Sequence, residues 1–143
     1  MHLFLCREGH APALLRVLGR LQGASATALS PQLVKLELPT EPWPAGLPVA
    51  FATQVLPDAV ELPAPSVGAG ARALADLLAE RLHAFKGPIR LQVMATGDAS
   101  AGRARLIRDG ALEVLGRKLK RLVRAVVEGP GPAQPEEAQV QLL

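Results

Sequence analysis

Arg117, Lys120, Arg121 and Arg124 are the residues of this chain best placed to do chemistry, and that chemistry is the holding of anions. At about 100° per residue on a helix they share one side, joined by Arg103. Opposite them fall Ala111, Leu115, Leu119, Leu122 and Val126, with Ile107 and Val114 at the edge of the apolar arc. Residues 103–127 carry eight of the sixteen basic side chains and two of the thirteen acids, Asp109 and Glu113. The stretch is therefore +6 in a chain of net +3, and everything outside it sums to −3. A cationic helix face on an otherwise slightly acidic protein is the electrostatic footprint of docking to a polyanion. A merely solvated helix face is the alternative, but such faces interleave signs, and no acid stands between positions 117 and 124. Lys118 belongs to the same run. Arg103, Arg105 and Arg108 add charge at its start, although Arg105 and Arg108 fall near the apolar arc, where one or both could pair internally or snorkel.

The other candidate constellations are weaker. Gly68-Ala-Gly70-Ala-Arg-Ala73 satisfies the glycine-rich dinucleotide pattern G-x-G-x-x-A. That pattern needs a strand directly before it, and here Pro63-Ala-Pro65-Ser66 precedes it. Small residues in a close-packed helix explain it better. Cys6 and His10 stand four apart, but no second pair at zinc-ligand spacing completes a tetrahedral set, so no metal site is expected and Cys6 reads as a buried strand residue. His83 suits the C-terminal end of a helix. Asp76 and Glu80, beside Arg72 and Arg81, have the spacing of ordinary helix-surface pairs. No Ser/His/Asp or Cys/His arrangement stands out, so no catalytic residue is assigned.

Composition narrows the classes further. Twelve arginines against four lysines suit phosphate, because the guanidinium fork is bidentate and weakly hydrated. There is no Tyr, and the aromatics are Phe4, Phe51, Phe85 and Trp43. Modules that stack single-stranded bases on a sheet need more, so recognition of backbone and shape is expected. A single cysteine fits a reducing, cytoplasmic compartment. No segment reads as a signal peptide or approaches the roughly 18 apolar residues of a membrane span.

The elements that must position these residues follow from periodicity. His2–Cys6 reads as a strand, and Gly9–Leu21 as a helix stopped by Gly23. Leu33–Leu38 alternates as a half-buried strand, and Val49–Leu56 is a further strand. Residues 39–48 form a proline-rich loop around Trp43. Asp58–Pro65 is a proline-bearing linker and the most plausible internal boundary, dividing a β-α-β-β part, 1–58, from a second part, 59–143. Ser66 caps a helix that runs to about Phe85 and is closed by Gly87-Pro88. Ile89–Met94 is a strand, Thr96–Gly102 a loop, and the basic helix follows it. Residues 129–135 are a connector, and 137–143 a closing strand with Ala138, Val140 and Leu142 on one side. The order gives an α+β layered fold. Two leucines at the end, with no polar tail, read as a cut inside a longer protein.

Phe51-Ala-Thr-Gln-Val-Leu-Pro-Asp-Ala, Ala64-Pro-Ser-Val, Gly102-Arg103, Leu106-Ile107, Arg117-Lys118, Lys120-Arg121-Leu122 and Ala138-Gln-Val-Gln-Leu-Leu143 together carry a resemblance. Over residues 49–143 the chain resembles the THUMP-containing N-terminal region of a bacterial family of FtsJ-like 2′-O-ribose methyltransferases of large-subunit ribosomal RNA. Residues 1–48 match it only in layout. The resemblance implies a small two-part module, a ferredoxin-like N-terminal half and a THUMP-like half, that binds structured rRNA. It further implies a separate, C-terminal, S-adenosylmethionine-binding catalytic domain that this chain does not contain, and hence no cofactor here. The RNA-binding residues would be Arg117, Lys120, Arg121, Arg124, Arg103, Arg105 and Lys118. A protein-interaction or dimerisation module with a solvated basic helix is the competing reading. Target nucleotide and oligomeric state are not legible.

Overall fold

The chain divides into two units, Met1–Glu61 and Leu62–Leu143, and a computed structural model describes residues 1–39, 50–93, 98–127 and 138–142. The loop expected around Trp43 and the connector expected at 129–135 lie outside the described residues. The architecture is mixed α+β, as the order of elements predicts.

The first unit is one helix, α1 (Ala11–Leu18), with four strands: β1 (His2–Cys6), β2 (Ser25–Ser30), β3 (Leu33–Glu37) and β4 (Ala52–Leu56). The sheet order is β2-β3-β1-β4, and every neighbouring pair is antiparallel. Register explains the core. Phe4 lies opposite Val34 and His2 opposite Leu36, so period-two alternation turns these side chains and Cys6 to one face. Leu14 and Leu18, one helical turn apart on α1, complete a core with Phe4, Cys6, Val34 and Leu36. The helix is shorter than the Gly9–Leu21 expected from its leucines, because the chain leaves it at Gly19. Gly23 follows with φ +74°, a left-handed turn that glycine adopts without steric cost.

Strand β2 has no counterpart among the elements expected from the sequence. Its residues Ser25-Ala-Thr-Ala-Leu-Ser are all exposed or half-buried, so it has no buried face to write an apolar alternation into the sequence. It sits at the sheet edge, held by its antiparallel ladder to β3.

The second unit packs α2 (Val67–Leu82), α3 (Asp98–Lys118) and α4 (Lys120–Ala125) against a sheet of β5 (Ile89–Val93), β6 (Val126–Val127) and β7 (Ala138–Leu142). The order is β6-β5-β7, with both outer strands parallel to β5. Ile89 faces Val126 and Ala138, and Leu91 faces Val140. That apolar side meets Leu74, Ala75 and Leu78 of α2 and Ile107, Ala111 and Leu115 of α3. The closing strand thus pairs as its alternation predicts, with Gln141 and Gln92 side chains 3.5 Å apart across the ladder.

Ser66 caps α2 by accepting from the Ala69 amide at 3.2 Å. Gly68 and Gly70 lie inside that helix, and α2 comes close enough to α3 at Gly70 for a Cβ there to meet Ile107 Cδ1 at 3.0 Å and Ala64 Cβ at 2.9 Å. Gly70 therefore serves helix packing, whereas a Cβ at Gly68 would meet only the Arg72 guanidinium of the same helix at 4.0 Å.

The basic segment differs from the single helix expected over 103–127 in three places. It begins earlier, since residues 98–102 are helical where a loop was expected. It breaks at Leu119, whose φ −137° and ψ 64° are not helical. It ends earlier, because Val126 and Val127 pass into β6. The break has a physical reason. In an unbroken helix Arg117 and Arg121 would stand one turn apart with like charge, and no acid from 114 to 127 relieves them. Gly116 weakens the helix just before. Leu122 is 2% exposed, a burial that contributes about 2 kcal/mol and holds α4 in its new direction. The β-branched pair at 126–127 suits a strand better than a helix.

Candidate functional site

All seven candidate cations, Arg103, Arg105, Arg117, Lys118, Lys120, Arg121 and Arg124, are exposed. The break at Leu119 divides them between two helices, so they do not form the single helical face that the 100° spacing predicts. The apolar arc is also revised. Ile107, Ala111, Leu115 and Leu122 are buried, as expected, whereas Leu119 at the break is 38% exposed.

Their attachments sort them further. The Arg103 guanidinium donates to the Ala64 carbonyl, tying α3 to the segment that leads into α2. Arg117 pairs with Glu113 one turn back at 2.7 Å. Lys118 lies 3.9 Å from Asp76 of α2. Arg121 donates to the His83 carbonyl at 2.5 Å, where the C-cap residue of α2 presents a helix-end acceptor. Of Arg105 and Arg108, the two near the apolar arc, Arg108 pairs with its neighbour Asp109 at 2.7 Å. Lys120, Arg124 and Arg105 take part in no ion pair or side-chain hydrogen bond among the described residues.

The arrangement can hold anions. Lys120 and Arg124 stand one turn apart on α4 and both project to solvent, while Leu122 between them anchors the helix inward. Arg117 is available as well, because its pair with Glu113 is open to water at both ends and an exposed pair of this kind is worth only about 0.3–0.5 kcal/mol. A phosphate can displace that carboxylate. Arg103 and Arg121 already have a carbonyl to bind, which no local sequence signal shows, since the partners are 39 and 38 positions away.

The remaining chemistry-bearing residues lie elsewhere. Cys6 is buried, and burial pushes its thiol up, whereas His10 is exposed and stacks edge-on against Phe51 at 5.9 Å. The two do not converge. Among the described residues no group of three or more His, Cys, Asp or Glu side chains could hold a metal ion. His83 turns its Nδ1 to the Glu80 carbonyl at 2.7 Å, the helix-end role expected for it. In the first unit an open depression of about 380 Å³ between α1 and β2 is lined by apolar groups such as Ala11, Pro12, Leu15 and Leu29. No titratable side chain lines it. Among the described residues no helix is long and apolar enough to cross a membrane.

Comparison with protein-family models, with curated proteins and with solved structures gives no match for this chain.

Proposed function

We propose that this chain is a non-catalytic RNA-binding module that positions structured ribosomal RNA for an S-adenosylmethionine-dependent 2′-O-ribose methyltransferase domain outside these 143 residues. The observation that carries it is the pair Lys120 and Arg124, one turn apart, exposed and without an internal partner among the described residues, in a stretch that holds no acid from 114 to 127. Cations so placed bind phosphates and fix the position of an RNA without reading its bases. The fold is compatible with the family resemblance. The strand order β2-β3-β1-β4, antiparallel throughout, is that of a ferredoxin-like sheet, although only one helix accompanies it among the described residues, and the α/β layering of the second unit is compatible with a THUMP-like half. On this reading the protein works in the cytoplasm, on large-subunit rRNA.

Salt titration tests the proposal. Each phosphate neutralised on a duplex contributes about −0.9 to the slope of log affinity against log salt. The variant Lys120→Ala, Arg124→Ala should therefore flatten the slope by about 1.8 for an RNA stem–loop, read by fluorescence anisotropy. The loss should be similar across stem sequences. Unchanged affinity and slope at low salt would mean that α4 is a solvated surface. Salt-independent self-association in sedimentation would favour the dimerisation reading instead.

A further inference from the structure

The hydrogen bond from Arg121 to the His83 carbonyl, 2.5 Å long, joins two segments of the chain 38 residues apart. It brings α4, with Lys120 and Arg124, to the C-terminal end of α2. Exposed cations also flank that end: Arg81 lies two residues before His83 and Lys86 three after it. At 3.8 Å per residue their Cα atoms lie at most about 8 and about 11 Å from that of His83. Cations commonly gather at a helix C-terminus to meet its unsatisfied carbonyls, which would explain Arg81 and Lys86 without any ligand. Here the Glu80, Leu82 and His83 carbonyls have other donors. The Glu80 carbonyl accepts from His83 Nδ1 at 2.7 Å. The Leu82 carbonyl accepts from the Phe85 amide at 3.1 Å, and the His83 carbonyl accepts from Arg121. No ion pair or hydrogen bond engages Arg81 or Lys86 among the described residues. Of the nearby acids, Asp76 already has Lys118 within 3.9 Å, which leaves Glu80 as the one local countercharge on that part of α2.

We infer that the phosphate-binding surface is composite, built from Lys120 and Arg124 of α4 together with Arg81 and Lys86 at the end of α2, with Arg121 as the link that holds the two segments side by side. The inference rests on the RNA-binding reading and extends it to two residues outside the basic segment. It makes the surface wider than one helix, as suits a structured RNA whose phosphates come from more than one stretch of backbone.

The test uses the full chain, a fluorescein-labelled RNA stem–loop and a salt series. Arg81→Ala, Lys86→Ala should weaken binding roughly tenfold at low salt and flatten the log–log slope by about 1.8, the contribution of two duplex phosphates. Arg81→Gln, Lys86→Gln should do the same, and circular dichroism should show both variants folded like the parent. As a control, Arg16→Ala, Arg20→Ala removes two exposed cations of the first unit and should leave the slope unchanged. If the Arg81/Lys86 variants fold and bind like the parent while Lys120→Ala, Arg124→Ala weakens binding, the composite surface is wrong and the RNA reading stands. If the control flattens the slope equally, binding follows diffuse net charge and the composite surface is again overturned. If the parent does not bind RNA, both readings fail together.

Discussion

At Arg103 and Arg121 a guanidinium reaches back to a main-chain carbonyl, whereas at Arg117 it closes a one-turn ion pair with Glu113. The three differ in what they do for the fold, although the sequence presents them alike. An ion pair exposed at both ends gains little over water, so Arg117→Ala should change stability by no more than about 0.5 kcal/mol. Arg121→Ala leaves a helix-end carbonyl without its donor and loosens α4 from α2, and should cost about 1 kcal/mol. Urea denaturation of the two variants without RNA compares them directly, and an Arg121→Ala cost no larger than that of Arg117→Ala would remove Arg121 from its linking role. Residue type and the one-turn Glu113–Arg117 spacing are legible in the sequence. The carbonyl partners are not, because each is a main-chain group brought close only by tertiary packing.

Among elements, those with one buried face announce themselves. β3, with Val34 and Leu36 inward, and β7, with Val140 and Leu142 against the core, alternate visibly. β2 does not, because an edge strand with every side chain at least partly in water has no pattern to show. The basic segment is legible as helical but not as broken, since the apolar spacing of Leu115, Leu119 and Leu122 continues through the break. What decides is a tertiary contact, Leu122 in the core, acting with like-charge repulsion between Arg117 and Arg121. Glycine gives a sharper test of element packing. At Gly70 a Cβ would stand 2.9 Å from Ala64 Cβ and 3.0 Å from Ile107 Cδ1, and Ala64 has no rotamer with which to yield. Gly70→Ala should therefore destabilise by about 1–3 kcal/mol through overpacking, despite the better helix propensity of alanine. At Gly102, inside α3, a Cβ meets nothing within 4 Å. Gly102→Ala should stabilise by up to about 1 kcal/mol. Thermal or urea midpoints that move in the same direction for both variants would show that the α2–α3 approach is not as close as described.

For the whole molecule, strand pairing is what the sequence hides most. β5 takes β7 as a partner 49 positions on, and a parallel pair of this kind needs a crossover, supplied between β5 and β6 by α3 and α4. That architecture bears on the cofactor. A dinucleotide or S-adenosylmethionine site of the doubly wound type places a glycine-rich turn between a strand and the helix that follows it. Here the one glycine pattern of that form begins at the second residue of α2, behind the Ser66 cap, and its Gly70 is spent on contact with Ile107 and Ala64. At the head of α2 the Ala69 amide already donates to the Ser66 hydroxyl and the Gly70 amide to the Ser66 carbonyl. On the proposed division of labour, the chain alone should show no methyl transfer to rRNA and no saturable uptake of S-adenosylmethionine in calorimetry. Uptake tighter than millimolar would overturn the division of labour proposed between this module and a separate catalytic domain. Loss of that uptake in Gly70→Ala, with the fold retained, would then return the glycines to a phosphate-binding role.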